Sequence, residues 1–256
     1  MITNHDTGQR ACPAYDGRVH PDGGNSRCVA PTATVDVVVR PYRDAVRLVY
    51  VDDSGNQHLT LYAFLEVQPA NWSPALQRWL AMRAELRERW QIPVRKELHA
   101  VDFLAGRGNP SLTASWNRRR EARLEAGGTI VRTLSILPVS WRVCYVDGQD
   151  RKAAYAAGLA DLERALVRAD DYALIMVDGD GTDPAYVDAH RSLPLQTRRV
   201  VEDTWPQGSH TNQWIMMVDW VAHLAFQRLT RSRPATSDWY DENLASLDVH
   251  GGPQRG

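Results

Sequence analysis

An α/β fold built on a mixed sheet is what this sequence predicts, on three observations. β-Forming residues from Val46 to Val51 are separated by the turn formers Ser54-Gly55-Asn56 from a second such run, His58 to about Val67, which is a hairpin signature. The second half then alternates strand-like and helical stretches, the pattern of parallel strands joined by crossover helices. A length of 256 residues with 43% hydrophobic content suffices for one sizeable core.

Taken in order, residues 1–34 are rich in Gly, Pro, Asn and Asp without an apolar period, and are expected to form a flexible N-terminal arm. His5, Cys12, His20 and Cys28 lie there, but their spacing matches no paired zinc knuckle. Val35–Val39 is a candidate first strand, stopped by Pro41. After the hairpin, Ser73-Pro74 is a good helix start, and Trp72, Leu76, Trp79, Leu80, Leu86 and Trp90 follow at roughly helical spacing, as a core-facing stripe does. A second helix is expected from about Thr113 to Ala126. Arg142–Val146 reads as a strand, Arg151–Ala169 as a helix and Tyr172–Val177 as a strand. A strand near Arg198–Glu202 and a long helix from about Thr211 to Leu229 complete the set. The expected organisation is therefore an arm (1–34), a domain (35–231) and a polar, Gly-rich C-terminal tail (232–256).

A formal net charge of −1 gives no global attraction to nucleic acid or anionic lipid, so any such binding needs a local patch. Of the 30 basic residues 28 are arginines, a bias that suits phosphate but that a GC-rich genome also produces. Three cysteines and a start without signal-peptide features lead to the expectation of a cytoplasmic protein. No apolar run approaches the roughly 20 residues of a membrane helix.

Chemistry is suggested by carboxylates in unusual places. Asp52 and Asp53 end the first hairpin strand, where a chain leaves the core. Asp178 ends the run Tyr172–Val177 and opens Asp178-Gly179-Asp180-Gly181-Thr182-Asp183, which lacks the later ligands of a calcium loop. Asp219 lies inside an apolar helix, with Ile215, Ala222, His223 and Phe226 on its face, and an unpaired buried carboxylate is costly. It must be protonated, paired with a base or bound to metal, unless it turns to solvent. Glu97 and His99 flank Leu98 and share a face if that segment is extended. The basic run Arg118-Arg119-Arg120, with Trp116 and Arg123 nearby, either binds phosphates with the indole stacking on a base, or is a solvated helix face paired with Glu121 and Glu125.

In order and type these acids resemble the ribonuclease H-like nucleases, and in particular the domain-of-unknown-function 3800 family. Its opening Asp-Glu-Ser-Gly pattern is similar to Asp52-Asp53-Ser54-Gly55, and its Glu-Leu-His element to Glu97-Leu98-His99. Its later strand-end Asp is similar to Asp178, and its late-helix Asp to Asp219-Trp220-Val221-Ala222. The family usually has Glu at the position of Asp53, and often Gln where Met216 stands. The resemblance spans roughly residues 46–230. It implies an α/β, ribonuclease H-like mixed sheet flanked by helices. It also implies hydrolysis of RNA or DNA phosphodiesters with two Mg2+ or Mn2+ ions held by Asp52, Glu97, Asp178 and Asp219, and His99 or His210 shuttling protons. Two other functions stay open: a non-catalytic nucleic-acid or protein-binding component of the same fold, and a metal-dependent phosphatase of small nucleotides.

Overall fold

The computed structural model describes residues 46–256, so the arm, its Cys and His residues and the candidate strand Val35–Val39 lie outside the described residues. Alternation sets the first strand, β1 (Val46–Gly55). Val49 and Val51 face one core, while Tyr50 faces the other. β1 pairs antiparallel with β2 (Leu59–Val67) through a tight turn in which the Asn56 side chain accepts from the His58 and Leu59 N–H groups. The strand was expected to stop at Val51. The short turn lets pairing run on to Gly55, so Asp52 and Asp53 are strand residues opposite Ala63 and Tyr62.

The remaining strands are β3 (Ser140–Asp147), β4 (Tyr172–Asp178), β5 (Trp205–Gln207) and β6 (Gln254–Arg255). The sheet order is β5-β4-β1-β2-β3-β6, with β1, β2 and β3 an antiparallel meander and β4 parallel to both β1 and β5. The sheet is mixed and flanked by helices, as expected for an α/β fold. The strand expected at Arg198–Glu202 is only a single parallel bridge, Ala173 to Val200. The edge strand falls at β5, beyond Glu202, whose left-handed backbone (φ 61°) breaks the extension.

On one face pack α1 (Pro69–Trp90), α4 (Arg120–Leu134) and α7 (Gln213–Thr230), with the short α2 (Ala100–Ala105) and α3 (Ala114–Asn117). α5 (Arg151–Ala169) and α6 (Pro184–Arg191) cover the other. α1 begins at Pro69 rather than at Ser73-Pro74. Pro69 takes the first helical position, where its missing N–H costs nothing, and Pro74 is carried inside the helix. The helix expected over Thr113–Ala126 is broken in two at Arg118–Arg119. The Asn117 carbonyl accepts from the Arg123 guanidinium (2.6 Å), and the Asn117 side chain is tied to the Ser111 backbone. α5 lies so close to the sheet that a Cβ on Gly158 would stand 2.2 Å from the Phe64 ring.

Trp79, Trp141 and Trp220 are fully buried, and truncating any one to Ala removes about 3–5 kcal/mol of packing. Residues 232–256, set apart by sequence as a polar tail, contribute the buried side chains of Tyr240 and Leu244 to the same core and end in β6 beside β3. Among the described residues no helix is long and apolar enough to cross a membrane.

Candidate metal centre

β1 and β4 run side by side in parallel, with Tyr50 opposite Met176 and Val51 opposite Val177. One step further, Asp52 and Asp178 stand on neighbouring strands, on the face that α7 covers. α7 is apolar nearly all round, because it is wedged between the sheet and the outer helices, and this buries Asp219 to 6% exposure. Asn212 caps its start by accepting from the Trp214 and Ile215 N–H groups. Glu97 and His99 arrive on the irregular segment between α1 and α2.

That segment is held from below by Arg83 of α1. Its guanidinium, with no exposure at all, donates to the carbonyls of Pro93, Val94 and Lys96 and to the Met216 sulfur. Burial lowers its pKa to about 10, so it stays charged at neutral pH.

The structure brings all five expected residues to one end of the sheet. Asp52, 8% exposed, feels the charges of Asp219 and Asp178, and Asp178 feels that of Glu97. His99 Nε2 lies 3.5 Å from Asp219 Oδ1. Each carboxylate also has its own donor. The Asp53 N–H donates to Asp52 (2.7 Å), the Ala100 N–H to Asp219 (2.6 Å), the Ser209 N–H to Asp178 (3.1 Å) and the Ser209 hydroxyl to Glu97 (2.6 Å). Burial, then repulsion from Asp219 and Asp178, pushes the Asp52 carboxyl well above the ordinary range. Burial takes Asp219 to about 7, even though His99 and the Ala100 N–H pull the other way. Asp178 is raised by burial, with Glu97 adding to it.

Asp53 is turned to the opposite face, where Arg151 of α5 holds it at 2.7 Å. The departure from Glu at this position therefore leaves the Asp52 face untouched. Met216, where the family often has Gln, contacts Arg83, and Gln213 accepts from the Trp79 indole. His210 is exposed, its ring folded over Gly208. Trp116, which the phosphate-binding alternative needs free for stacking, is a core residue packed on Phe103. Glu125, expected to pair with the basic run, is taken by Arg89. Asp180 does not join the site. It closes its own turn by accepting from Thr182.

Ser209 and Arg83 were not singled out by sequence. Ser209 lies in Gly208-Ser209-His210-Thr211-Asn212, a turn-forming cluster before an apolar helix, which is a signal for a strand-to-helix loop at a site. Arg83 breaks the apolar stripe of α1, and that break is the signal.

The donor set suits a hard divalent cation: carboxylate oxygens, two of them buried, with no arginine or lysine paired to any of the four among the described residues. Their placement is looser than a finished chelate. Among the described residues no three Asp, Glu, His or Cys side chains gather closely enough to hold an ion as they stand.

No protein-family model matches the chain, and no curated protein matches it. Among solved structures it is similar to Bst-RNase HIII in complex with Mn2+, with 12% identity over 80% of this chain and 63% of that one, at a TM-score of 0.37. It is also similar to a mutant protein of Bst-RNase HIII, with 9% identity over 80% of this chain and 62% of that one, at a TM-score of 0.39. The chain thus spans less than two thirds of the length of these proteins.

Proposed function

We propose that this protein is a metal-dependent nuclease that hydrolyses phosphodiester bonds of RNA or DNA, with Asp52, Glu97, Asp178 and Asp219 as the ligands of Mg2+ or Mn2+. The observation that carries this reading is the placement of four carboxylates at one end of the sheet, from β1, β4, α7 and the segment before α2, without a paired arginine or lysine among the described residues. Gathering these carboxylates costs free energy that their N–H and hydroxyl donors offset only in part, as the raised pKa values of Asp52 and Asp219 show, and a bound cation would offset the rest. When bound, divalent ions lower the pKa of water and offset charge on phosphoryl and leaving oxygens.

The chain's own groups orient the ligands. Ser209 ties Glu97 to Asp178, and the Ala100 N–H fixes Asp219 through one oxygen, leaving the other toward His99. His99, with its side chain 45% exposed, is placed to give or take a proton at the rim. A cytoplasmic setting and a nucleic-acid partner go with this activity.

The test is cleavage of labelled RNA and DNA with Mg2+ or Mn2+ by the wild type and Asp52→Asn, with circular dichroism as the check on folding. Loss of cleavage in a folded variant is expected, and full activity in Asp52→Asn sinks the assignment. One observation favours the second reading, a non-catalytic binding component of the same fold: the acids do not converge into a group of three. Absence of cleavage by the wild type on every polynucleotide, with nucleic-acid binding retained, selects it.

A further inference from the structure

Most arginines here are engaged. Arg47, Arg89, Arg107, Arg142, Arg151 and Arg228 pair with carboxylates, for example. Others, such as Arg118–Arg120 and Arg168, make no such pair among the described residues, and three unpaired basic residues lie near Glu97. Among the described residues Arg87, Arg95 and Lys96 make no ion pair, and all three lie on or next to the segment that carries Glu97. Arg87 and Arg95 line one groove of about 530 Å³ together with Gln91, Pro93, Val94 and Leu112. Lys96 lines a second pocket with Glu97 and His99. Residues 93–95 line the first and residues 96–97 the second, so the backbone passes directly from the basic groove to Glu97.

This segment is rigid for a stated reason. Arg83, wholly buried, draws the carbonyls of Pro93, Val94 and Lys96 inward, which fixes the backbone from which Arg95 and Lys96 project. Arg87, in the last turn of α1, also complements the helix dipole, but that accounts for neither Arg95 nor Lys96. Leu112, 77% exposed at the groove, offers an apolar surface beside the charges.

We propose that Arg87, Arg95 and Lys96 form a phosphate track leading a nucleic-acid strand to the carboxylate centre, so that the substrate is a polynucleotide and not a mononucleotide. This rests on the nuclease reading of the site. A mononucleotide at the carboxylates would leave the groove unused, whereas a strand places successive phosphates along it, where guanidinium groups bind them in forked geometry. The basic run at Arg118–Arg120 is the rival path, but Arg120 lines a pocket with Arg233, whereas Arg95 and Lys96 directly precede Glu97 in the chain.

The experiment is binding of a labelled single-stranded oligonucleotide by fluorescence anisotropy across a salt series, in calcium buffer and in chelator. The proteins are the wild type, Arg87→Ala/Arg95→Ala, Arg168→Ala as a remote exposed control, and Arg118→Ala/Arg120→Ala. The expected result is a salt slope shallower by about 1.4 in Arg87→Ala/Arg95→Ala, at roughly 0.7 per lost phosphate contact, and unchanged in the other two. Equal slopes in all four, a loss confined to Arg118→Ala/Arg120→Ala, or no binding by the wild type in either buffer overturns the track. Because this assay reads binding without cleavage, it separates failure of the track from failure of the nuclease reading, which only the Asp52→Asn cleavage assay decides.

Discussion

Glu66, near the start of β1 and the end of β2, is clasped by Arg142 (2.6 Å) and Arg47 (2.9 Å), whereas at the far ends of β1 and β4 Asp52 and Asp178 meet Glu97 and Asp219 with no described arginine or lysine paired to them. Around Glu66 the pairing continues. Arg142 also reaches Asp161, which His250 contacts at 2.7 Å, and Arg47 reaches Asp171. Burial pushes the Asp161 carboxyl up, but hydrogen bonds from His250 and Arg142 outweigh it and hold that group below the ordinary range. At the other end burial and mutual repulsion act in the same direction, and Asp52 and Asp219 are both raised. The same strands thus carry a charge cluster that supports the fold and one that strains it. Glu66 is buried together with its guanidinium groups, whereas Asp52 and Asp219 are buried without one.

The sharpest way to break this contrast is Asp52→Asn. It is expected to lower metal-dependent cleavage by roughly a hundredfold or more while the protein stays folded, since the side chain removed is a proposed ligand. Glu66→Gln tests the opposite end. Leaving Arg142 and Arg47 short of a partner is expected to cost about 3–5 kcal/mol, read from denaturant midpoints, with the acidic centre intact. A change below 1 kcal/mol, on the scale of roughly 0–1 for surface pairs, would remove the distinction between the two clusters.

A third buried group sets a pH limit on the fold. His190 stacks on Tyr155 and contacts its hydroxyl at 2.7 Å, with its other nitrogen 3.3 Å from the Glu202 carbonyl and Arg198 and Asp203 nearby. Burial lowers its pKa from 6.5 to about 4. A depressed folded value means that its stabilising share is complete above the unfolded pKa and is lost as pH falls through the folded one. Between pH 6.5 and about 4 that loss approaches roughly 3 kcal/mol. Unfolding midpoints of wild type and His190→Gln should therefore converge on acidification, and a constant gap across that range contradicts the assignment.

The smallest effect has the opposite sign. Asp219 has a raised folded pKa, so its ionised form costs stability above about 7, and the cost vanishes below the unfolded value of 3.8. Relief of that linkage cost, about 4 kcal/mol, is partly offset in Asp219→Asn by the newly buried carboxamide donors, so the variant should be stabilised by about 1–2 kcal/mol at pH 8, roughly 2–8 °C in midpoint, and by much less at pH 4. A destabilised variant at pH 8 would mean that the carboxylate is structurally compensated after all.

The acidic end was legible in the sequence because each of its groups breaks a local pattern. Asp52 and Asp178 follow β-forming runs, and Asp219 interrupts an apolar helix. The paired end left no such mark, because Arg47, Glu66, Arg142 and Asp161 meet only through sheet pairing and helix packing between distant stretches. Element types were read largely correctly where periodicity was strong, as in α1, α5 and α7. Boundaries went astray where a side chain decided them: the Asn56 turn extended β1, and Arg123 on the Asn117 carbonyl split one expected helix into two. Residues 240–247 bury Tyr240 and Leu244 and pack Ala245 and Leu247 partly against the core through a π turn and a 3-10 turn, which leave no α-helical period in the sequence.

The most direct test of the central claim, that the uncompensated carboxylates form a cation site, is calorimetric titration of Mn2+ into chelator-treated wild type and Asp52→Asn. The account predicts saturable binding to the wild type that is lost in the variant, with both proteins folded. Equal binding in the two, or none by the wild type even with an oligonucleotide present to supply phosphate oxygens, would contradict it.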